Sequence, residues 1–276
     1  MFLAHLLHSV IEDDWKVLHI VNHEQVFSKT THVVSERNYS DRRRSPLWLR
    51  DSKERFSNET WTTVEDLCAE SLPYEDKEFD FVICDHSLVT LRDPLVLCKE
   101  MQRVGKKGYI EFTSAIMSFV EGVEREGVVG YPHHRWFVDV YEGKLRFAFR
   151  NHLIQSLKEY HIQKPEWAKG VNPLKSATGV FWDSSFEVYE DKEISVFPDW
   201  HFEEVFGNEW NKRPEMFFLA NHPVPVLVNE TPFKPNTLVT NKELDVKFGV
   251  SLVDENGRPS MDMYKFETIL EQQGKL

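Results

Sequence analysis

The chain is poor in cysteine, glycine and positive charge, and it has no long apolar run. Of its 276 residues only 3 are Cys and 12 are Gly, and 33 Lys+Arg stand against 45 Asp+Glu for a formal net charge of −12. Three cysteines, Cys68, Cys84 and Cys98, cannot all pair. A disulfide scaffold is therefore excluded, and a reducing cytoplasm is the expected compartment. The deficit of basic residues argues against a surface that coats bare nucleic acid, because phosphate neutralisation needs clustered Lys and Arg. The one cluster, Arg42-Arg43-Arg44 with Arg37 and Arg50 nearby, reads first as a solvated loop. No apolar stretch approaches the ~20 residues of a membrane span, and mean hydropathy is −0.45. The opening residues MFLAHLLHSVIEDD lack a basic flank and read as a short amphipathic helix, not a leader. What is plentiful is aromatic: 20 Phe, 8 Tyr and 8 Trp within a 41% hydrophobic composition. That excludes wholesale disorder and supplies a soluble core domain with room for an appendage.

The first half alternates between strand-like and helix-like segments. Lys16–Val21 (KVLHIV), Thr31–Ser35, Trp61–Glu65, Phe79–Cys84 and Tyr109–Phe112 are short apolar or β-branched runs. Ser87–Val104 spaces Leu88, Leu91, Leu95, Leu97, Met101 and Val104 mostly as a helix, with Pro94 setting a break or a first turn. Gly105 is the expected helix stop. Such alternation predicts an α/β fold with a mainly parallel central sheet. In the second half, Trp136–Tyr141, the turn Glu142-Gly143 and Lys144–Phe149 give the clearest hairpin signal. Asn151–Tyr160 reads as an amphipathic helix and Gly179–Tyr189 as a strand. Prolines at 214, 223, 225, 232, 235 and 259 then punctuate a β-leaning or irregular end.

In an open parallel sheet, ligands bind beyond the carboxyl ends of the strands, near the reversal of strand order. The residues at those ends are Asn22, His23 and Glu24, then Glu36, then Asp66 and Leu67, then Asp85 and His86. A carboxylate after the second strand can accept both hydroxyls of a ribose, and one after the third can accept from an adenine amino group. The same acids can equally serve as caps. A second cluster, Gly130-Tyr131-Pro132-His133-His134-Arg135-Trp136, offers two imidazoles that titrate near neutrality, or a structural loop. Cys68, Cys84, Cys98, His86 and His133 have no metal-site spacing, so no metal is expected. Nucleophile-elbow, phosphate-loop and glycosidase-type carboxylate patterns are absent.

The block from Trp61 to Ser114 resembles the central segment of class I S-adenosylmethionine-dependent methyltransferases, of the subgroup that includes small-molecule (ubiquinone/menaquinone-type) enzymes. The resemblance rests on Asp66, Leu72-Pro73-Tyr74 before an acidic turn and Phe79-Asp80-Phe81-Val82. Arg92-Asp93-Pro94, Glu100, Arg103-Val104 and a Gly-flanked fifth strand complete it. It implies a Rossmann-like methyltransferase fold with helices on both faces, and S-adenosylmethionine as cofactor. It places Glu36 on the ribose, Asp66 and Leu67 beside the adenine, and Asp85 and His86 near the methionine end, with Asn22 and His23 also among the cofactor-binding candidates. His86, His133 and His134 become the catalytic candidates. Two departures stand out. The run from Val17 to Phe27 has no glycine where the family turns on Gly-x-Gly, and His19 occupies the usual acidic position. Leu88-Val89-Thr90 replaces the subgroup's Leu-Glu-His.

Two functions follow. One is methyl transfer to a small molecule or a modified sugar or lipid. The other is a catalytically inactive relative used as a binding or assembly module, with a protein partner. A third reading reuses the pocket for another nucleotide-like ligand. The expected division is a body over residues 1–213, including a hairpin insertion at 131–150, and an extension over 214–276.

Overall fold

The computed structural model of the chain describes residues 4–21, 26–42, 54–68, 71–113, 115–141, 143–156, 161 and 177–192, together with three short strands further on. The main sheet is built from β1 (Val17–Ile20), β2 (His32–Ser35), β3 (Trp61–Thr63), β4 (Phe81–Asp85), β5 (Lys107–Thr113), β8 (Ala177–Asp183) and β10 (Met216–Leu219). Their order is β10-β8-β5-β4-β1-β2-β3. Every pairing is parallel except that of β8 with β5. The expected α/β class with a mainly parallel sheet is what the chain adopts. Every residue of β1 and β4 is buried, as suits central strands covered on both faces.

Among the described helices, α1 spans Ala4–Val10, α2 spans Tyr39–Arg42 and α3 spans Pro94–Val104. Of the two roles open to Pro94, a break or a first turn, the structure takes the second: α3 starts there and the segment from Ser87 to Asp93 stays outside it. Asp93 is the N-cap and accepts from the Leu95 N–H at 3.2 Å, while Pro94 fills the first turn, where no donor is needed. The buried stripe Pro94, Leu97, Cys98, Met101 and Val104 lies against the sheet. Gly105 does end the helix, but with an extended backbone at φ −107°. A Cβ there would collide with the Val82 side chain, and one at Gly108 would lie 2.8 Å from the Trp182 indole. Both glycines serve close packing.

A second, three-stranded sheet orders β6 (Trp136–Tyr141), β7 (Lys144–Phe149) and β9 (Val188–Asp191) as β6-β7-β9. Its hairpin falls in the expected register, Trp136 opposite Phe149 and Tyr141 opposite Lys144. Trp136, Val138, Leu145 and Phe147 join the core that α3 and the main sheet share. The single strand expected over Gly179–Tyr189 is two, because the chain turns at Ser184 with φ +64°. Asn151–Tyr160 contains a 3₁₀ turn at His152–Ser156, and residues 157–160 lie outside the described residues. Beyond residue 213, β10 adds to the main sheet, while β11 (Leu227–Val228) and β12 (Thr231–Pro232) form a separate antiparallel pair. No described helix is long and apolar enough to cross a membrane.

Candidate functional site

Because β1 to β5 run parallel, their carboxyl ends share one edge, and β1 sits between β2 and β4 where strand order reverses. Of the residues expected on that edge, Asn22 and His23 lie outside the described residues, as do Glu24 and Gln25. Val21 shows what precedes them. It donates to the Val34 carbonyl at 3.0 Å and packs with Val33, Phe56 and Trp61, its backbone outside the left-handed region.

At the ends of β2 and β3 the structure brings two candidates together: Glu36 Oε1 accepts from the Leu67 N–H at 3.1 Å. Asp66 is adjacent but engaged elsewhere. Its Oδ1 accepts from the Cys68 N–H at 2.7 Å and its Oδ2 from the Arg92 guanidinium at 3.0 Å. The turn-capping role open to Asp66 is therefore realised.

At the β1–β4 junction, Asp85 and His19 meet. His19 Nε2 lies 2.6 Å from Asp85 Oδ1, and both side chains are fully buried. His19 Nδ1 accepts from the Phe27 N–H at 3.2 Å. A backbone N–H can only donate, so Nδ1 holds the lone pair and Nε2 carries the proton toward Asp85. The imidazole is neutral, in one tautomer.

His86 follows directly, at φ +53°. Its N–H donates to the Glu111 carbonyl at 2.7 Å, which ties the turn to β5. Its ring places Nε2 3.0 Å from Glu111 Oε1 and Nδ1 3.2 Å from Thr113 Oγ1. Glu111 is fully buried, and its Oε2 accepts from the Tyr109 hydroxyl at 2.7 Å. Burial alone would raise the Glu111 pKa; the hydrogen bond and charge of His86 are among the influences that more than offset it and hold the group below its usual range. Burial and the Glu111 charge push the Tyr109 hydroxyl well up. Glu111 is thus a carboxylate flanked by two donors, and His86, 22% exposed, is the member of the chain that reaches solvent. Neither Tyr109 nor Glu111 was singled out from the sequence. The available signal was a charged residue inside an otherwise apolar central strand.

The His133–Trp136 loop is tied to the segment that follows β4 and His86. Arg135 and Trp136 both donate to the Val89 carbonyl, at 2.7 and 3.3 Å, and Trp136 Nε1 donates to the Leu91 carbonyl at 2.8 Å. Leu88-Val89-Thr90 is therefore the dock for this loop. His134 is buried and stacks on Tyr131 with centroids 4.7 Å apart. Burial first, then the charges of His133, His86 and Arg150, pull its pKa down to about 3. It is a neutral imidazole and a weak base. His133 is half-exposed and 3.2 Å from Glu124.

The three cysteines are buried free thiols. Burial raises Cys84 and Cys98 well above the ordinary thiol range, so neither is nucleophilic at neutral pH. No group of three metal-ligating side chains occurs among the described residues.

Residues 43–110 match the family described as "Methyltransferase domain", which bears out the methyltransferase resemblance over that segment. No curated protein matches the chain. Solved structures that match include an S-adenosylmethionine-dependent methyltransferase from Thermotoga maritima at 19% identity, covering 41% of this chain and 52% of that one with a TM-score of 0.29. One from Methanosarcina mazei matches at 22% identity, with 40% and 57% covered and a TM-score of 0.30. One from Mesorhizobium loti matches at 12% identity, with 54% and 64% covered and a TM-score of 0.31. The chain spans about half the length of the first solved structures it matches.

Proposed function

We propose that the chain transfers a methyl group from S-adenosylmethionine to a small molecule or a modified sugar or lipid, with His86 as general base. The observation that carries this reading is the His86–Glu111–Tyr109 chain at the end of β4 and β5. Glu111, already accepting from Tyr109, accepts the Nε2 proton of His86 and leaves Nδ1 as the basic nitrogen, beside the Thr113 hydroxyl. A hydroxyl or amine of the acceptor placed there would lose its proton to Nδ1 as its heteroatom takes the methyl group from the sulfur of the bound cofactor, which would leave as the neutral thioether S-adenosylhomocysteine. The in-line approach is set by positioning.

On the nucleoside side one contact supports the cofactor reading. Glu36, held at the Leu67 N–H, presents a carboxylate where ribose hydroxyls would be received. Leu67 and Asp66 would flank the adenine, Asp85 would lie toward the methionine end, and Asn22 and His23 belong to the same proposal. When bound, the cofactor supplies an electrophilic methyl group. His134, neutral, is assigned to the wall of the acceptor site beside His133. The cytoplasmic setting and the division into residues 1–213 and 214–276 complete this reading.

A second reading, a catalytically inactive binding module for a protein partner, is favoured by one observation. His19 stands where the family has an acid and engages Asp85 in full burial, next to a turn without glycine. Calorimetric titration of the full chain with S-adenosylhomocysteine separates the two. Methyl transfer predicts binding that Glu36→Ala weakens by about tenfold or more. It also predicts a His86→Asn variant that binds but loses roughly 10²–10⁴ in turnover. No heat at millimolar ligand favours the second reading, and heat with another nucleoside instead favours a reused pocket.

A further inference from the structure

Arg150, the residue after β7, is fully buried. One guanidinium N–H, on Nη2, donates to the Val129 carbonyl at 3.2 Å, an acceptor shared with Gln155 Nε2 at 2.6 Å. Nε and Nη1 meet no acceptor among the described residues. No carboxylate among the described residues lies within ion-pair distance of it. Burial alone acts on its titration, pulling it down to about 10, so it is a cation at neutral pH. A buried charge without a counter-ion is strongly unfavourable, and native structures retain one where something else supplies the anion.

Its surroundings say where that anion would come from. The Arg150 N–H donates to the Arg135 carbonyl at 2.8 Å, and the Arg135 N–H donates to the Val89 carbonyl, three residues past His86. His134 lies close enough to both His86 and Arg150 for their charges to depress its titration. The strap that holds Val129 is tightly built. Gly130, at φ +62°, donates to the Val120 carbonyl, and a Cβ on it would come within 2.7 Å of the Ser118 backbone. The orphaned donors therefore sit in a firm frame, near the His134 that also feels His86.

We propose that Arg150 is the anchor for an oxyanion, a carboxylate or a phosphate, carried by the methyl acceptor, so that the reacting heteroatom is presented to His86. This rests on the methyltransferase reading and narrows its substrate class to anionic acceptors. A guanidinium suits the task because its planar, permanently charged fork matches either oxyanion.

The test is thermal unfolding of the full chain and of Arg150→Met in phosphate, in acetate and in chloride at matched ionic strength. Phosphate or acetate, whichever resembles the native group, raises the wild-type midpoint above chloride by roughly 3–6 °C at ten times its dissociation constant. Arg150→Met shows no such gain. In chloride the variant unfolds at or above the wild-type temperature, because an apolar chain of similar length replaces an uncompensated charge. No anion-specific gain in the wild type, or an equal gain in Arg150→Met, overturns the proposal. Titration with S-adenosylhomocysteine adds two further arms. Weaker binding to Arg150→Met than to wild type would assign the anchor to the cofactor's own carboxylate and overturn the acceptor assignment; unchanged binding supports it. If the wild type takes up no S-adenosylhomocysteine yet gains from anions through Arg150, the methyltransferase reading fails while the anion site stands.

Discussion

Two histidine–carboxylate pairs occupy neighbouring strand ends, His19–Asp85 across β1 and β4 and His86–Glu111 across β4 and β5, and they are built for different work. The distances are similar, 2.6 and 3.0 Å. What separates them is the partner of the other ring nitrogen. At His19 it is a backbone N–H, which can only donate, so protonating the ring would cost that bond. At His86 it is the Thr113 hydroxyl, which donates or accepts as required. The first ring is locked in one state; the second can gain and lose a proton without leaving a neighbour unsatisfied. The second contact thus decides whether such a ring is fixed as a brace or left free for the role proposed for His86.

The comparison can be broken by substitution. His19→Leu leaves Asp85 without its fully buried donor and strands the Phe27 N–H; a loss of about 3 kcal/mol is expected in urea unfolding. A companion Asp85→Leu should restore part of it. His134 offers a second lever, through pH. Its folded pKa, about 3, lies below its ordinary value of 6.5, so the unfolded chain takes up the proton first. Its contribution to stability is whole above about pH 6.5 and is lost as pH falls toward 3. Between pH 6.5 and 5 the wild type should lose roughly 2 kcal/mol more than His134→Phe, the limiting slope being about 1.4 kcal/mol per pH unit. The smallest effect belongs to His86→Asn. Asparagine tolerates the left-handed backbone, and water can reach Glu111 where the ring is partly exposed, so unfolding should show a loss of about 1 kcal/mol. A loss at His86 equal to that at His19 would erase the distinction between brace and base.

Much of this edge was legible from local pattern. The buried runs of β1 and β4, the hairpin register and the carboxylate at Glu36 all follow from short-range spacing. Pro94 marks the start of α3, as a first turn, although the apolar periodicity runs back through Leu88 and Leu91. Those two leucines pack in the core from a turn. The His19–Asp85 contact joins residues 66 apart, and no spacing rule reaches that far. Arg150 was silent for another reason: an arginine after a strand is ordinary in sequence, and only its burial makes it unusual.

The Phe27 N–H closes a ring with the imidazole of His19, eight residues earlier. Both ends of that stretch are thus moored at one point of the sheet, whatever side chains stand between them. Loop-closure entropy changes slowly with length, by about 0.6 kcal/mol per doubling. A change in the number of residues between these two moorings should therefore cost little while β1 keeps its register.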